Sequence, residues 1–461
     1  MIGILSVGII SVPGMTTQAY SYAAPSAFAP GDRGGHLGLA TSGGTSTEGA
    51  VAHPRFFSGV LTRADVGAAG LLALADVAQT RYYQPRPTWA RDPVVTCNGD
   101  RLRMESFSAC AGVYARLDVL SEALDGEVTA RGTTNVDVNG PLREALARVG
   151  GAEPMHLAVG PDEMVVTTLD GATVEKKVPL PERWLRSFAE VQAIASGFDL
   201  RAELPGPEAV RFLRGLPRRA GVLWAQPAGR GLRPTSRPGP GAVCLAGSER
   251  LATLLPLLRF ATALRVYGPP VPPGARPAAS AWELVLPGMR YVLTLSPEER
   301  RGFSGEGAVL DALIGDDTAE DADLVGALLD FEPRLDPADL AVRAGLPDAR
   351  VRAALTQLGT GGRVGYDTAE AAFFHRELPY DASRVAAMNP RLRAARALAD
   401  QGAVRELSEG VFRVTSSGTD YQVRPATGSC TCPWWADHRG GRGPCKHVLA
   451  TRLHNTPAPP A

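Results

Sequence analysis

The sequence predicts an α+β, multi-domain protein that ends in a small module built on cysteine and histidine. Three observations carry this expectation. The chain has 461 residues, 44% of them hydrophobic, which is enough for two to four domains with cores of their own. Residues 51–315 interleave short strand patterns with single helices, the mixture of an α+β region. Near the end, Cys430-Thr-Cys432 and Cys445-Lys-His447 gather three sulfurs and an imidazole within 18 residues of a chain that has only six cysteines.

Charge and composition exclude several classes. Lys plus Arg and Asp plus Glu balance at 48 each, so any nucleic-acid contact has to be local. Gly (51) and Pro (38) are abundant, and Ala and Arg are common beside few Lys, a composition that suggests a GC-rich bacterial genome. Cys97, Cys110 and Cys244 show no ligand spacing and read as buried small hydrophobes. That usage fits a reducing cytosol and a cytoplasmic protein. Residues 1–14 are apolar, too short to span a bilayer, and lack a basic leader and a cleavage site. Met15 therefore reads as the true start, with a weak signal peptide as the alternative. No later stretch reaches 18 apolar residues.

In chain order, residues 1–50 form an N-terminal lead-in, of which 15–50 are mostly Gly, Ser, Thr and Ala and read as disordered or loosely attached. A helix is expected over Thr62–Val77 and strands within 93–120. A β-α-β-β-β order then appears twice, over 134–185 and 241–300, as a possible internal repeat. The Pro/Gly/Arg-rich stretch Gln226–Gly241 reads as the loop or linker between the copies.

Residues 319–385 show a sharper pattern. A helix is expected over Asp321–Leu329. A second begins at Asp336-Pro337 and stops at Gly345, with Asp as N-cap and Pro in the first turn. A third covers Ala349–Leu358, and Gly359–Asp367 reads as a hairpin. The segment resembles a winged helix-turn-helix. Residues 320–384 hold seven arginines and no lysine against twelve carboxylates, a net charge of −5 that a duplex repels. The segment therefore reads as a structural or protein-docking module ahead of a DNA reader, although Arg350, Arg352 and Gln357 could reach bases.

The last module begins with strand patterns at Val404–Leu407, Gly410–Val414 and Tyr421–Arg424. Residues two apart on a strand share a face, so Cys430 and Cys432 can meet one metal. Thiolate and imidazole are ligands that zinc prefers, and four of them close a tetrahedral structural site. Cys445 is expected just before a short apolar helix, with His447 in its first turn. A redox pair is the alternative, but C-x-C is not a thioredoxin-type spacing. His438 could stand in for His447, and His454 reads as a surface residue.

The order C-x-C…C-x-H, the strands before it and the helix after it resemble a SWIM zinc finger, over residues 400–455. The resemblance implies one structural Zn²⁺ held by Cys430, Cys432, Cys445 and His447, and contact with DNA or with protein. Bacterial proteins that resemble this one can be encoded beside MoxR-type ATPases and von Willebrand-A-like proteins. The resemblance thus suggests an ATPase complex as partner. Residues 456–461 read as a flexible tail.

No phosphate-binding loop, dinucleotide fingerprint, H-E-x-x-H or G-x-S-x-G motif is present, and seven histidines are dispersed. The expected function is a non-enzymatic interaction adaptor. A DNA-binding regulatory or processing protein that uses the finger is the alternative. An enzyme with a site in the N-terminal α+β region is the second.

Overall fold

The computed structural model describes residues 55–80, 93–378 and 389–455, apart from 152, 179, 218–220, 273, 311–312 and 315–316, together with short strands between 21 and 50. Most of the lead-in and all of the tail 456–461 lie outside the described residues. Within the lead-in the described pieces are strands of two or three residues. Among the described residues no helix is long and apolar enough to cross a membrane.

Strand β1 (Phe57–Leu61) leads into α1 (Ala64–Gln79). Four strands follow: β2 (Val94–Cys97), β3 (Leu102–Phe107), β4 (Val113–Val119) and β5 (Leu124–Val128). Next come β6 (Gly132–Asn135), α2 (Gly140–Arg148), β7 (His156–Val159), β8 (Glu163–Thr168) and β9 (Gly171–Lys176). Then α3 (Glu182–Ala195), β10 (Asp199–Pro205), α4 (Gly206–Gly215), β11 (Val222–Ala228), β12 (Gly231–Thr235) and β13 (Val243–Ala246). Strands β14 (Ala263–Gly268), β15 (Ser280–Leu286) and β16 (Met289–Leu295) complete this region.

The strands form an eight-stranded antiparallel sheet in the order β6-β2-β3-β4-β16-β15-β14-β10, a five-stranded sheet β5-β1-β7-β8-β9 and a three-stranded sheet β12-β11-β13. Helix α1 fills the main core because it is mostly small and aliphatic, Ala, Gly, Leu and Val. Twelve of its sixteen residues are buried. At Gly70 a Cβ would lie 2.9 Å from the Leu117 side chain, so glycine lets the helix lie flush on β4. Thr80 ends the helix by donating its hydroxyl to the Asp76 carbonyl at 2.6 Å.

Over 134–185 and 241–300 the elements run β-α-β-β-β and β-3₁₀-β-β-β, and the two sets of strands are divided differently among the sheets. β6 joins the eight-stranded sheet while β7–β9 join the five-stranded one; β13 lies in the three-stranded sheet while β14–β16 lie in the eight-stranded one. The helical position of the second copy is a 3₁₀ segment, Ser248–Leu257, which carries Pro256 inside it. Gln226–Gly241 is not a linker. It holds the end of β11, the turn and β12, because Leu223, Ala225 and Leu232 pack into the main core.

Alternation on β3 and β4 sends Leu102, Met104, Ala115, Leu117 and Val119 into that core. The opposite face carries Arg103, Glu105, Arg116 and Asp118, and these too are buried. Their cover is the hairpin β17 (Val364–Asp367) and β18 (Ala372–His375). Asp367 reaches Arg103 at 2.8 Å, Arg116 at 2.9 Å and Arg290 at 2.7 Å. Asp118 also meets all three guanidiniums, at 3.0–3.3 Å. Arg376 pairs with Glu105 at 2.6 Å, and Arg103 lies 4.1 Å over the Phe374 ring.

Helices α5 (Asp317–Ala327), α6 (Pro337–Ala344) and α7 (Asp348–Thr360) precede the hairpin. Asp336 caps α6 by accepting the Ala338 N–H, and Gly345 ends it at φ 66°. Gly359–Thr360 finishes α7 rather than starting a hairpin, so the expected hairpin at 359–367 moves to 364–375. Arg350 binds Asp321 through two bonds of 2.7 Å, and Arg352 binds Asp348 at 2.7 Å.

Candidate metal centre

After α8 (Pro390–Asp400), strands β19 (Val404–Ser408), β20 (Val411–Ser416), β21 (Thr419–Arg424) and β22 (Ser429–Cys430) form one sheet in sequence order. Gly428 turns the chain at φ 63°, and Cys430 then pairs with Val423. This places Cys430 at a strand end. Cys432 caps the short helix α9 (Pro433–His438), its Sγ accepting the Trp435 N–H at 3.4 Å. Cys445 stands immediately before α10 (Lys446–Asn455), and His447 lies in its first turn. The region of Trp434 and Trp435 is therefore helical, and the following Arg439 adopts φ 43°.

Cys430, Cys432, Cys445 and His447 are all buried, and their ligand atoms lie within 4.8 Å of one another. Cys430 Sγ and His447 Nδ1 are 3.6 Å apart. A tetrahedral zinc with its usual Zn–S and Zn–N bonds separates sulfur from nitrogen by about 3.5 Å. The donor set and its spacing therefore fit one zinc ion, with no open coordination position. The Tyr421 ring stacks on His447 with centroids 4.4 Å apart and holds the imidazole plane. His438 does not join the cluster; it stands edge-on against Trp434 at 4.2 Å.

Crowding divides the thiols. Hydrogen bonds from Cys430 and His447 pull Cys445 down to about 4, and the bond to Cys445 pushes Cys430 well above the usual thiol range. Zinc would replace such shared protons, so metal affinity falls as pH falls. The other three cysteines, Cys97, Cys110 and Cys244, are buried apart from this cluster.

Residues 412–452 match the SWIM zinc finger family, so the C-terminal module is a SWIM zinc finger with four Cys/His ligands placed to hold one zinc. The sequence matches none of the curated proteins. Proliferating cellular nuclear antigen from Entamoeba histolytica is similar over 53% of this chain and 100% of its own, at 9% identity and a TM-score of 0.36. A PCNA2–PCNA3 complex from Sulfolobus tokodaii is similar over 52% of this chain and 99% of its own, at 10% identity and a TM-score of 0.38.

Sequence reasoning missed how the finger is seated. Arg391 of α8 and Arg442 of the ligand loop both donate to the Gly305 carbonyl, at 3.1 and 2.9 Å. Their guanidiniums also lie over Trp434, at 4.8 and 5.0 Å. At Gly443 a Cβ would lie 2.3 Å from the Gly307 carbonyl oxygen, so only glycine permits this approach. Glu190 of α3 fixes the receiving turn, accepting the Gly307 and Ala308 N–H groups at 2.8 and 2.7 Å. Burial pushes Glu190 up to about 7 against the pull of those N–H groups and of Arg391. The finger's core is continuous with Ala189, Val309, Leu310, Leu313 and Ile314.

The ligand loop is thus not a free basic face. Arg442 is docked, and Lys446 donates to the Ser416 hydroxyl at 2.9 Å, which leaves Arg439 exposed. Arg442→Ala is expected to keep its zinc and to lower stability by about 1–3 kcal/mol through the lost charged hydrogen bond. Metal analysis and a urea melt on the same preparation check both halves.

Proposed function

We propose that the protein is a non-enzymatic interaction adaptor whose finger and α5–α7 module present surfaces to a partner protein. One observation carries the reading: four of the cations that a nucleic-acid contact would draw on in these two modules are already engaged, which leaves Arg424 and Arg439 of the finger exposed. Arg350 and Arg352 are held by Asp321 and Asp348, and Arg442 and Lys446 by Gly305 and Ser416. The hairpin β17–β18 is buried on the sheet and is not free to enter a groove. Exposed Val342 (83%) and Leu324 (44%) give the helical module apolar surface of the kind protein partners use. An ATPase complex remains the partner class that the finger's resemblance suggests.

A photo-crosslinking residue at Val342, and separately at Arg439, tests this in the full zinc-loaded chain. Each position is expected to trap a protein in its native host. Nucleic acid as the adduct at either position would contradict the reading.

A further inference from the structure

Between Glu208 and Glu249 the chain has seven arginines and no acidic residue, although it is neutral overall. Arg218 and Arg219 lie outside the described residues. The other five, Arg211, Arg214, Arg230, Arg233 and Arg237, are all exposed. Arg211 is paired with Glu208 at 2.6 Å. Among the described residues, Arg214, Arg230, Arg233 and Arg237 meet no carboxylate.

The fold brings the two elements that carry these groups side by side. Helix α4 packs beside β12, and Glu208 Oε2 lies 3.7 Å from where a Gly231 Cβ would be. Phe212 and Leu213 anchor α4 in the main core, and Leu223 and Ala225 anchor β11, the hairpin partner of β12. Phe212 also stacks on Trp282 at 5.9 Å. Alternation then turns Leu232 inward and Arg233 outward. Exposed like charges on neighbouring elements create a positive potential that attracts a polyanion.

The surroundings select the polyanion. Seven large hydrophobics are notably exposed among the described residues, and none lies within 206–241. A protein interface normally has an apolar centre, whereas a phosphate backbone needs only cations. The local aromatics Phe212 and Trp224 are buried, so no stacking platform for single strands is present. We propose that α4 and the β11–β12 hairpin form a docking surface for the phosphate backbone of double-stranded nucleic acid. This surface is separate from the finger and the α5–α7 module, and it does not depend on the adaptor reading.

The test is fluorescence anisotropy of full-length, zinc-loaded protein with a random-sequence DNA duplex. Wild type should bind, and the combined variant Arg214→Glu, Arg233→Glu, Arg237→Glu should lose at least about tenfold in affinity. Three phosphate contacts predict a wild-type affinity drop of about 40-fold between about 50 and about 200 mM salt, and a flatter dependence in the variant. Zinc content and melting temperature should be unchanged in the variant, since all three side chains are exposed. Arg439→Glu in the finger should bind as wild type does. No duplex binding at low salt, unchanged binding by the triple variant, or tighter binding of poly-glutamate than of duplex would each overturn the proposal.

Discussion

Cys432→Ser and His447→Ala are each expected to lose the zinc that wild type holds at one equivalent per chain. Four buried ligands converge on one point, and removing any of them opens the shell. Structural zinc in small fingers contributes about 10–16 kcal/mol of folding free energy, far more than so small a module can replace by packing. The finger should therefore unfold. Because its core runs into Val309, Leu310, Leu313 and Ile314, the damage should reach that turn and α8 as well. The eight-stranded sheet, with its own core around α1, should remain. Metal analysis with near- and far-ultraviolet circular dichroism checks this. A full zinc equivalent in both variants would mean that the ligands are wrongly assigned.

Asp367→Asn is expected to destabilise the protein by about 3–5 kcal/mol, the usual cost of breaking a buried ion cluster from one side. Asp118 would be left to balance Arg103, Arg116 and Arg290, all of which are buried, helped only by Glu370 at 3.4 Å from Arg290. Burial opposes ionisation of Asp367, but the charges of Arg116, Arg103 and Arg290 outweigh it and hold the carboxyl well below its usual range. Its stabilising contribution is therefore complete above the ordinary carboxylate pKa of about 4 and is lost only as pH falls through the depressed folded value. Urea midpoints of wild type and variant should differ at neutral pH and converge in strong acid. Equal midpoints at pH 7 would show that the hairpin is held by packing alone.

The zinc ligands were legible in the sequence because all four lie within 18 residues and their chemistry is specific. Local signals also placed α6 well: Asp336, Pro337 and Gly345 act at the positions where they stand. Long-range pairing was not legible. The alternation in Leu102–Phe107 reads as a strand with one wet face, yet Arg103 and Glu105 are covered by residues some 260 positions later. Asp367 looks like part of an exposed turn, and nothing nearby in sequence names Arg103, Arg116 or Arg290. The finger's seat failed to show for the same reason. Gly305, Gly307 and Glu190 carry no motif, and their roles follow from where Arg391, Arg442 and Gly443 meet them in space. The composition of 226–241 suggested a linker because Pro and Gly dominate it, but Leu232 is enough to seat the strand on the core.

The central claim is that zinc fastens the finger to the body of the protein rather than closing an independent bead on a tether. Hydrogen exchange on the full chain, with and without a zinc chelator, tests it most directly. Chelation should expose the amides of 404–455 and, together with them, those of 305–310 and 390–400, while β3, β4 and β16 stay protected. Loss of protection confined to 404–455 would contradict the claim.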